Sequence, residues 1–178
     1  CGAAARALVE KHGLDLKVAV IEGDDLLPRK DEFADAVEMF TGEAFPAADK
    51  IASMNSYIGA FPIAKALDDG ADIVITGRIV DSAATLGPCI HAFGWSVDDF
   101  DRLAAGSLAG HILECGPQAT GGNSTDWRDA GDFANIGYPI AEIEPDGAFS
   151  VTKPDGTGGI VSKGTIAEQL VYEIGDPQ

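Results

Sequence analysis

The sequence predicts an α/β fold: a mostly parallel, Rossmann-like layered sheet with helices, then a C-terminal β-hairpin and Gly-rich loops. Three observations carry this. Ile73, Val74 and Ile75 form a β-branched run between Gly70 and Gly77, the pattern of a strand buried on both faces of a parallel sheet. Helix and strand patterns alternate around it, as they do in βαβ units. Further on, Ile140–Glu144 and Ala148–Lys153 flank Pro145, Asp146 and Gly147, a strong turn between two short strands.

The elements follow in order. Ala3 to His12 is alanine-rich and free of breakers, so it reads as a helix that Gly13 stops. Leu16–Ile21 is a strand, and Glu22, Gly23, Asp24 and Asp25 make a polar turn at its carboxyl end. A strand before the first helix would complete a βαβ unit. The chain therefore reads as one α/β domain over 1–178, or the C-terminal part of one, with 120–178 as an irregular, hairpin-bearing extension. Leu26–Phe45 is ambiguous, although Phe33, Val37 and Phe40 lie near helical spacing. Pro62 suits the first turn of a helix over Phe61–Asp69, or a kink in a longer one, and Gly70 ends it. After the Ala71–Thr76 strand, Asp81 or Ser82 is a candidate N-cap for a helix through Ala92, with Pro88 as an interior kink. Ser96 and Asp99 form a capping-box-like start to another helix, whose apolar pattern continues to Leu113. A last helix covers Thr165 to Glu173.

Composition bounds the function. The 178 residues hold 29 Asp and Glu against 12 Lys and Arg, a net charge of −17 with a pI near 4.2. That balance excludes a nucleic-acid partner, which needs Lys and Arg for phosphates, and disfavours an anionic membrane surface. No apolar run approaches a transmembrane span. An anionic small molecule stays compatible, because a local nest of backbone N–H groups binds one against the overall field. Cys1, Cys89 and Cys115 make no disulfide framework, so a reducing, cytoplasmic location is expected.

Three groups of residues carry candidate chemistry. Arg78, Asp81 and Ser82 follow the Ala71–Thr76 strand, where ligands sit in open α/β sheets. Arg78 would clamp an anion and Asp81 would orient it; equally, Asp81 and Ser82 would cap the helix while Arg78 makes a structural ion pair. His111, Glu114 and Cys115 share one helical face and would carry proton transfer, or simply form a polar helix end with a buried thiol. No second Cys or His cluster supports a structural zinc, and a metal-dependent hydrolase is the weaker reading. The Gly-rich loops Thr120, Gly121, Gly122, Asn123 and Thr157, Gly158, Gly159 present backbone N–H groups suited to phosphate or carboxylate; the alternative is two irregular turns. Neither matches a nucleotide-cofactor motif or a hydrolase elbow, so the cofactor stays unknown.

These residues also carry a resemblance. Thr76-Gly-Arg-Ile-Val-Asp-Ser-Ala83, Phe93-Gly-Trp95, the Arg102–His111 run, Leu113-Glu-Cys-Gly116, Thr120-Gly-Gly122, Gly137-Tyr-Pro-Ile-Ala-Glu142 and Lys153-Pro-Asp-Gly-Thr-Gly-Gly159 together resemble the AtuA family of acyclic terpene utilisation. Ile21-Glu-Gly-Asp-Asp-Leu-Leu27 and Ser56-Tyr-Ile-Gly-Ala60 resemble it upstream. The resemblance implies a longer domain on the N-terminal side, with Cys1 closing a segment that lies before it. It implies catabolism of acyclic terpenes such as citronellol and geraniol, whose later intermediates are coenzyme A thioesters. A small acidic or acyl-CoA ligand and lyase- or hydratase-like chemistry follow as expectations. A non-catalytic subunit docked on a pathway enzyme, or a homo-oligomer, is the alternative arrangement. The resemblance assigns no catalytic residue.

Overall fold

The computed structural model describes residues 1–172 and 174. The chain gathers into two compact units, Cys1–Val80 and Asp81–Gln178. The fold is mixed α/β, with a short parallel pair in the first unit and an antiparallel hairpin in the second.

In the first unit, α1 (Gly2–Lys11) leads to β1 (Val18–Ile21), and α2 (Phe61–Asp68) leads to β2 (Ile73–Thr76). The strands pair in parallel, from Val18 opposite Ile73 to Ile21 opposite Thr76. α1 packs on β1, and α2 packs on both strands. The two helices end by the same device. Gly13 (φ 61°) and Gly70 (φ 83°) take the left-handed conformation. Gly13 N–H donates to Glu10 C=O and Leu14 N–H to Val9 C=O; Gly70 N–H donates to Leu67 C=O and Ala71 N–H to Ala66 C=O. These are Schellman closures, which satisfy the last helical carbonyls and turn the chain out of the helix.

Two readings are narrowed here. The described parallel sheet has two strands, so a fully layered Rossmann-like sheet is not established. Ile73, Val74 and Ile75 are half-buried, because a strand with one hydrogen-bonded neighbour lacks the double cover that buries a central strand. The near-helical spacing of Phe33, Val37 and Phe40 does not produce an α-helix. A 3₁₀ segment covers Leu27–Phe33, and Val37 then bridges Ala44 in an antiparallel turn. The Glu38 carboxylate accepts from the N–H groups of Phe40 and Thr41, which fixes the turn and leaves Phe40 86% exposed.

The second unit begins with α3 (Ala83–Phe93) and α4 (Phe100–Glu114), which pack closely. Gly106 lies against Leu86 and Trp95, and Gly110 against the backbone of Ser82. Ala109 and Ile112 are buried in the same core. Ser96 N–H donates to Asp99 Oδ2 at 2.8 Å and Asp99 N–H to Ser96 C=O at 3.2 Å, while the Ser96 hydroxyl accepts from Asp98 N–H at 3.3 Å rather than from Asp99. This closes a turn one step before α4, whose N-cap is Asp99. Trp95 is buried, and its Nε1–H donates to Pro145 C=O at 2.9 Å. That bond ties the α3–α4 corner to the turn between β3 (Ile140–Ile143) and β4 (Phe149–Thr152), which pair antiparallel as expected. Finally α5 (Lys163–Val171) opens on a capping box between Ser162 and Thr165. Glu173, the expected end of that helix, lies outside the described residues. No described helix is long and apolar enough to cross a membrane.

Candidate functional site

Both parallel strands end at one polar cluster in the first unit. β1 delivers Glu22–Asp25 and β2 delivers Gly77 and Arg78. Asp24 links these tips. Its Oδ2 accepts from Arg78 N–H at 2.8 Å and from Asn55 Nδ2–H at 3.0 Å. Its backbone carbonyl accepts from Ser56 N–H at 2.8 Å. Gly77 leaves room for it, since a Cβ at 77 would collide with the Asp24 carboxylate. The Arg78 N–H bond holds the Asp24 carboxyl below the ordinary carboxylate value; partial desolvation opposes this, and Asn55 adds to it.

Arg78 is fixed by its backbone and open at its side chain. Its carbonyl accepts from Ile58 N–H at 3.0 Å, and Ile58 bridges Ile79 in parallel. Its guanidinium lies 5.6 Å from the centre of the Tyr57 ring, a cation–π contact. Tyr57 is 63% exposed. Among the described residues no carboxylate pairs with this guanidinium. Arg78 belongs to the first unit, and Asp81 and Ser82 to the second. Ser82 is the N-cap residue of α3, without a side-chain capping bond, and its carbonyl accepts from Thr85 and Leu86 N–H. Asp81 is exposed.

In the second unit, His111, Glu114 and Cys115 lie at the end of α4, facing α5. His111 Nε2 is 3.1 Å from Leu170 C=O, and His111 C=O accepts from Gln169 Nε2–H at 3.1 Å. Gln169 is wholly buried. Cys115 Sγ hydrogen-bonds the Glu114 carboxylate and lies 2.8 Å from the Tyr172 hydroxyl. A thiol, a phenol and a carboxylate thus form one hydrogen-bonded chain. Among the described residues no group of three or more His, Cys, Asp or Glu side chains is placed to hold a metal ion.

The glycine loops lie against each other. Ile160 N–H donates to Thr120 C=O at 2.9 Å, and Thr120 Oγ1–H, wholly buried, reaches Gly137 C=O at 2.8 Å and Pro117 C=O at 3.1 Å. The glycine amides of both are taken: Gly121 and Gly122 donate to Gln118 and Pro117, and Gly158 and Gly159 to Asn135 and Ala130. Lys153 Nζ is held by the Thr157 carbonyl and hydroxyl. Asn123 is exposed. A cleft of about 180 Å³ beside Gly121 is lined by Ser124, Asp126, Asp129, Ser162 and Glu168 among others, with no Lys or Arg in its wall. Glu168 is held below its ordinary value chiefly by the Thr125 hydroxyl, then by that of Ser124. The electrostatics of this cleft oppose an anion.

Sequence reasoning placed Asp24 in a polar turn without singling it out, and missed Tyr57 and Asn55. The signal that could have found them is positional: both lie in segments that reach the carboxyl ends of parallel strands.

No curated protein and no solved structure matches the chain. The model of the acyclic terpene utilisation family protein AtuA matches residues 1–178. Matched along its whole length, the chain belongs to the AtuA family of acyclic terpene utilisation.

Proposed function

We propose that this AtuA-family chain binds an isoprenoid acid or its coenzyme A thioester through Arg78, in a lyase- or hydratase-like step of acyclic terpene catabolism. One observation carries the reading. In a chain with 29 Asp and Glu against 12 Lys and Arg, the Arg78 guanidinium has no carboxylate partner among the described residues. It sits on an exposed aromatic ring at the carboxyl ends of parallel strands, where α/β sheets bind ligands. A planar guanidinium recognises carboxylate and phosphate oxygens in pairs, so both ligand forms suit it. His111, Glu114 and Cys115 are the second unit's candidates for proton transfer.

The test is calorimetric titration of the chain with geranoyl-CoA and with the free isoprenoid acid. Arg78→Ala is expected to weaken binding by about tenfold or more, the loss of one charge-assisted contact of about 1.4 kcal/mol. Arg78→Lys keeps the charge and should recover part of it. Unchanged affinity in Arg78→Ala would sink the reading.

A further inference from the structure

We infer that Asp24 is the positioning residue of the Arg78 site: its one residue holds both the backbone that carries Arg78 and the segment that carries Tyr57. The inference rests on the reading of Arg78 as the ligand anchor. Two segments must be held together for the guanidinium to lie over the ring. The first is the exit of β2, where Asp24 Oδ2 accepts Arg78 N–H at 2.8 Å. The second is residues 55–58, where the same oxygen accepts Asn55 Nδ2–H at 3.0 Å and Asp24 C=O accepts Ser56 N–H at 2.8 Å. Tyr57 follows directly. The carboxylate is therefore engaged by a backbone amide and a side-chain amide rather than by the guanidinium. A neighbouring Asp that paired with Arg78 would compete with an anionic ligand; this one fixes the main chain and leaves the cation available.

The sign of the effect separates this role from simple charge. Removing a carboxylate close to an anion site strengthens anion binding by electrostatics alone. A positioning role demands the opposite. The experiment is titration of wild type, Asp24→Ala, Asp24→Asn, Arg78→Ala and the Asp24→Ala/Arg78→Ala double variant with geranoyl-CoA. Asp24→Ala is expected to bind about tenfold more weakly. Asp24→Asn retains an acceptor oxygen of the same shape and should stay within about threefold of wild type. The double variant should be no weaker than Arg78→Ala, because a residue acting through Arg78 loses its effect with it. Asp24→Ala binding as tightly as wild type, or more tightly, overturns the inference. So does full additivity in the double variant.

If Asp24→Ala does not fold, Gly77→Ala replaces it. Its new methyl displaces the carboxylate without removing the charge, and should give a similar loss; unaltered affinity again overturns the inference. A ligand-free readout separates failure here from failure of the anchor reading. In wild type, the Arg78 amide proton resonance should shift as Asp24 titrates and be protected from exchange; in Asp24→Ala the protection should vanish. Persisting protection, or a wild-type resonance that does not shift, overturns the positioning role; loss of protection with affinity untouched in Arg78→Ala means that only the anchor reading falls.

Discussion

Asp24 makes its contribution through charge as well as shape, and the two separate with pH. Its folded carboxyl lies below the ordinary value because Arg78 N–H, foremost, donates to the ionised form. Such a group adds stability that is fully present above its unfolded pKa, about 3.9 for Asp, and is lost as pH falls through the folded value. Asp24→Asn keeps the acceptor and loses the charge. The stability gap between wild type and this variant is therefore expected to be constant from neutral pH to about pH 5. It should close as pH falls below about 4. Urea unfolding of both proteins across that range measures it, and taking the difference cancels the other carboxylates. A gap that ignores pH would mean that the Arg78 amide does not sense the ionised form. At this scale the sequence was half legible. Arg78 stood out, since a cation after a β-branched run needs only local reading. Asp24 did not, because its partners lie 54 and 31 residues away, and an acidic turn does not say which of its carboxylates faces inward. The glycine loops mislead for a related reason. Thr-Gly-Gly announces bare amides, but not the carbonyls of Pro117, Gln118, Ala130 and Asn135 that take them.

Helices and strands were more legible, because their signals are local. The glycines that close α1 and α2 and the hairpin around Gly147 act within a few residues, whereas the Ser162–Thr165 capping box starts the last helix two residues before the expected Thr165. Residues 37–44 escaped because helical spacing of apolar residues is a weak signal beside a carboxylate that organises a turn. The packing of α3 on α4 makes a sharper claim about elements. Alanine for glycine within a helix gains about 1 kcal/mol of propensity, against about 1–3 kcal/mol for overpacking a filled contact. At Gly110 a new Cβ would lie 2.6 Å from Ser82 C=O and 2.7 Å from its Cα. Those are backbone atoms at the start of α3, so the helices must part. At Gly106 the nearest atom is Leu86 Cδ1 at 2.7 Å, then the Trp95 ring at 2.9 Å, and a leucine side chain can shift rotamer. Gly110→Ala should therefore cost up to about 2 kcal/mol net. Gly106→Ala should cost less, and the order of the two midpoints in denaturant titration decides the matter. The reverse order would mean that the Trp95 ring, not the Ser82 backbone, sets the separation of the helices.

Across the whole chain, charge is the dominant feature, and its consequence can be argued from magnitudes. The net charge is −17, and like charges on a compact chain repel. Against this stand ion pairs such as Arg29–Glu32, Lys65–Asp69 and Arg102–Asp99, each between residues three or four apart. Such exposed local pairs contribute a few tenths of a kcal/mol each at most, and salt screens them too. Repulsion among the many unpaired carboxylates acts over longer distances, so shortening the screening length from about 10 Å at 0.1 M to about 3 Å at 1 M removes more of the repulsion than of the attraction. The melting temperature is therefore expected to rise with sodium chloride. At this chain length each kcal/mol of relief corresponds to about 2–4 °C. The two compact units give the measurement a second reading, since each transition seen by calorimetry should move upward, whether the units melt together or apart. Chloride rather than sulfate keeps the test electrostatic, because sulfate also stabilises folded proteins by exclusion from their surfaces. A melting temperature that is flat or falls with salt would mean that the carboxylates are locally compensated, with Asp24 and Glu168, each held by hydrogen bonds in the ionised form, as the pattern for the rest.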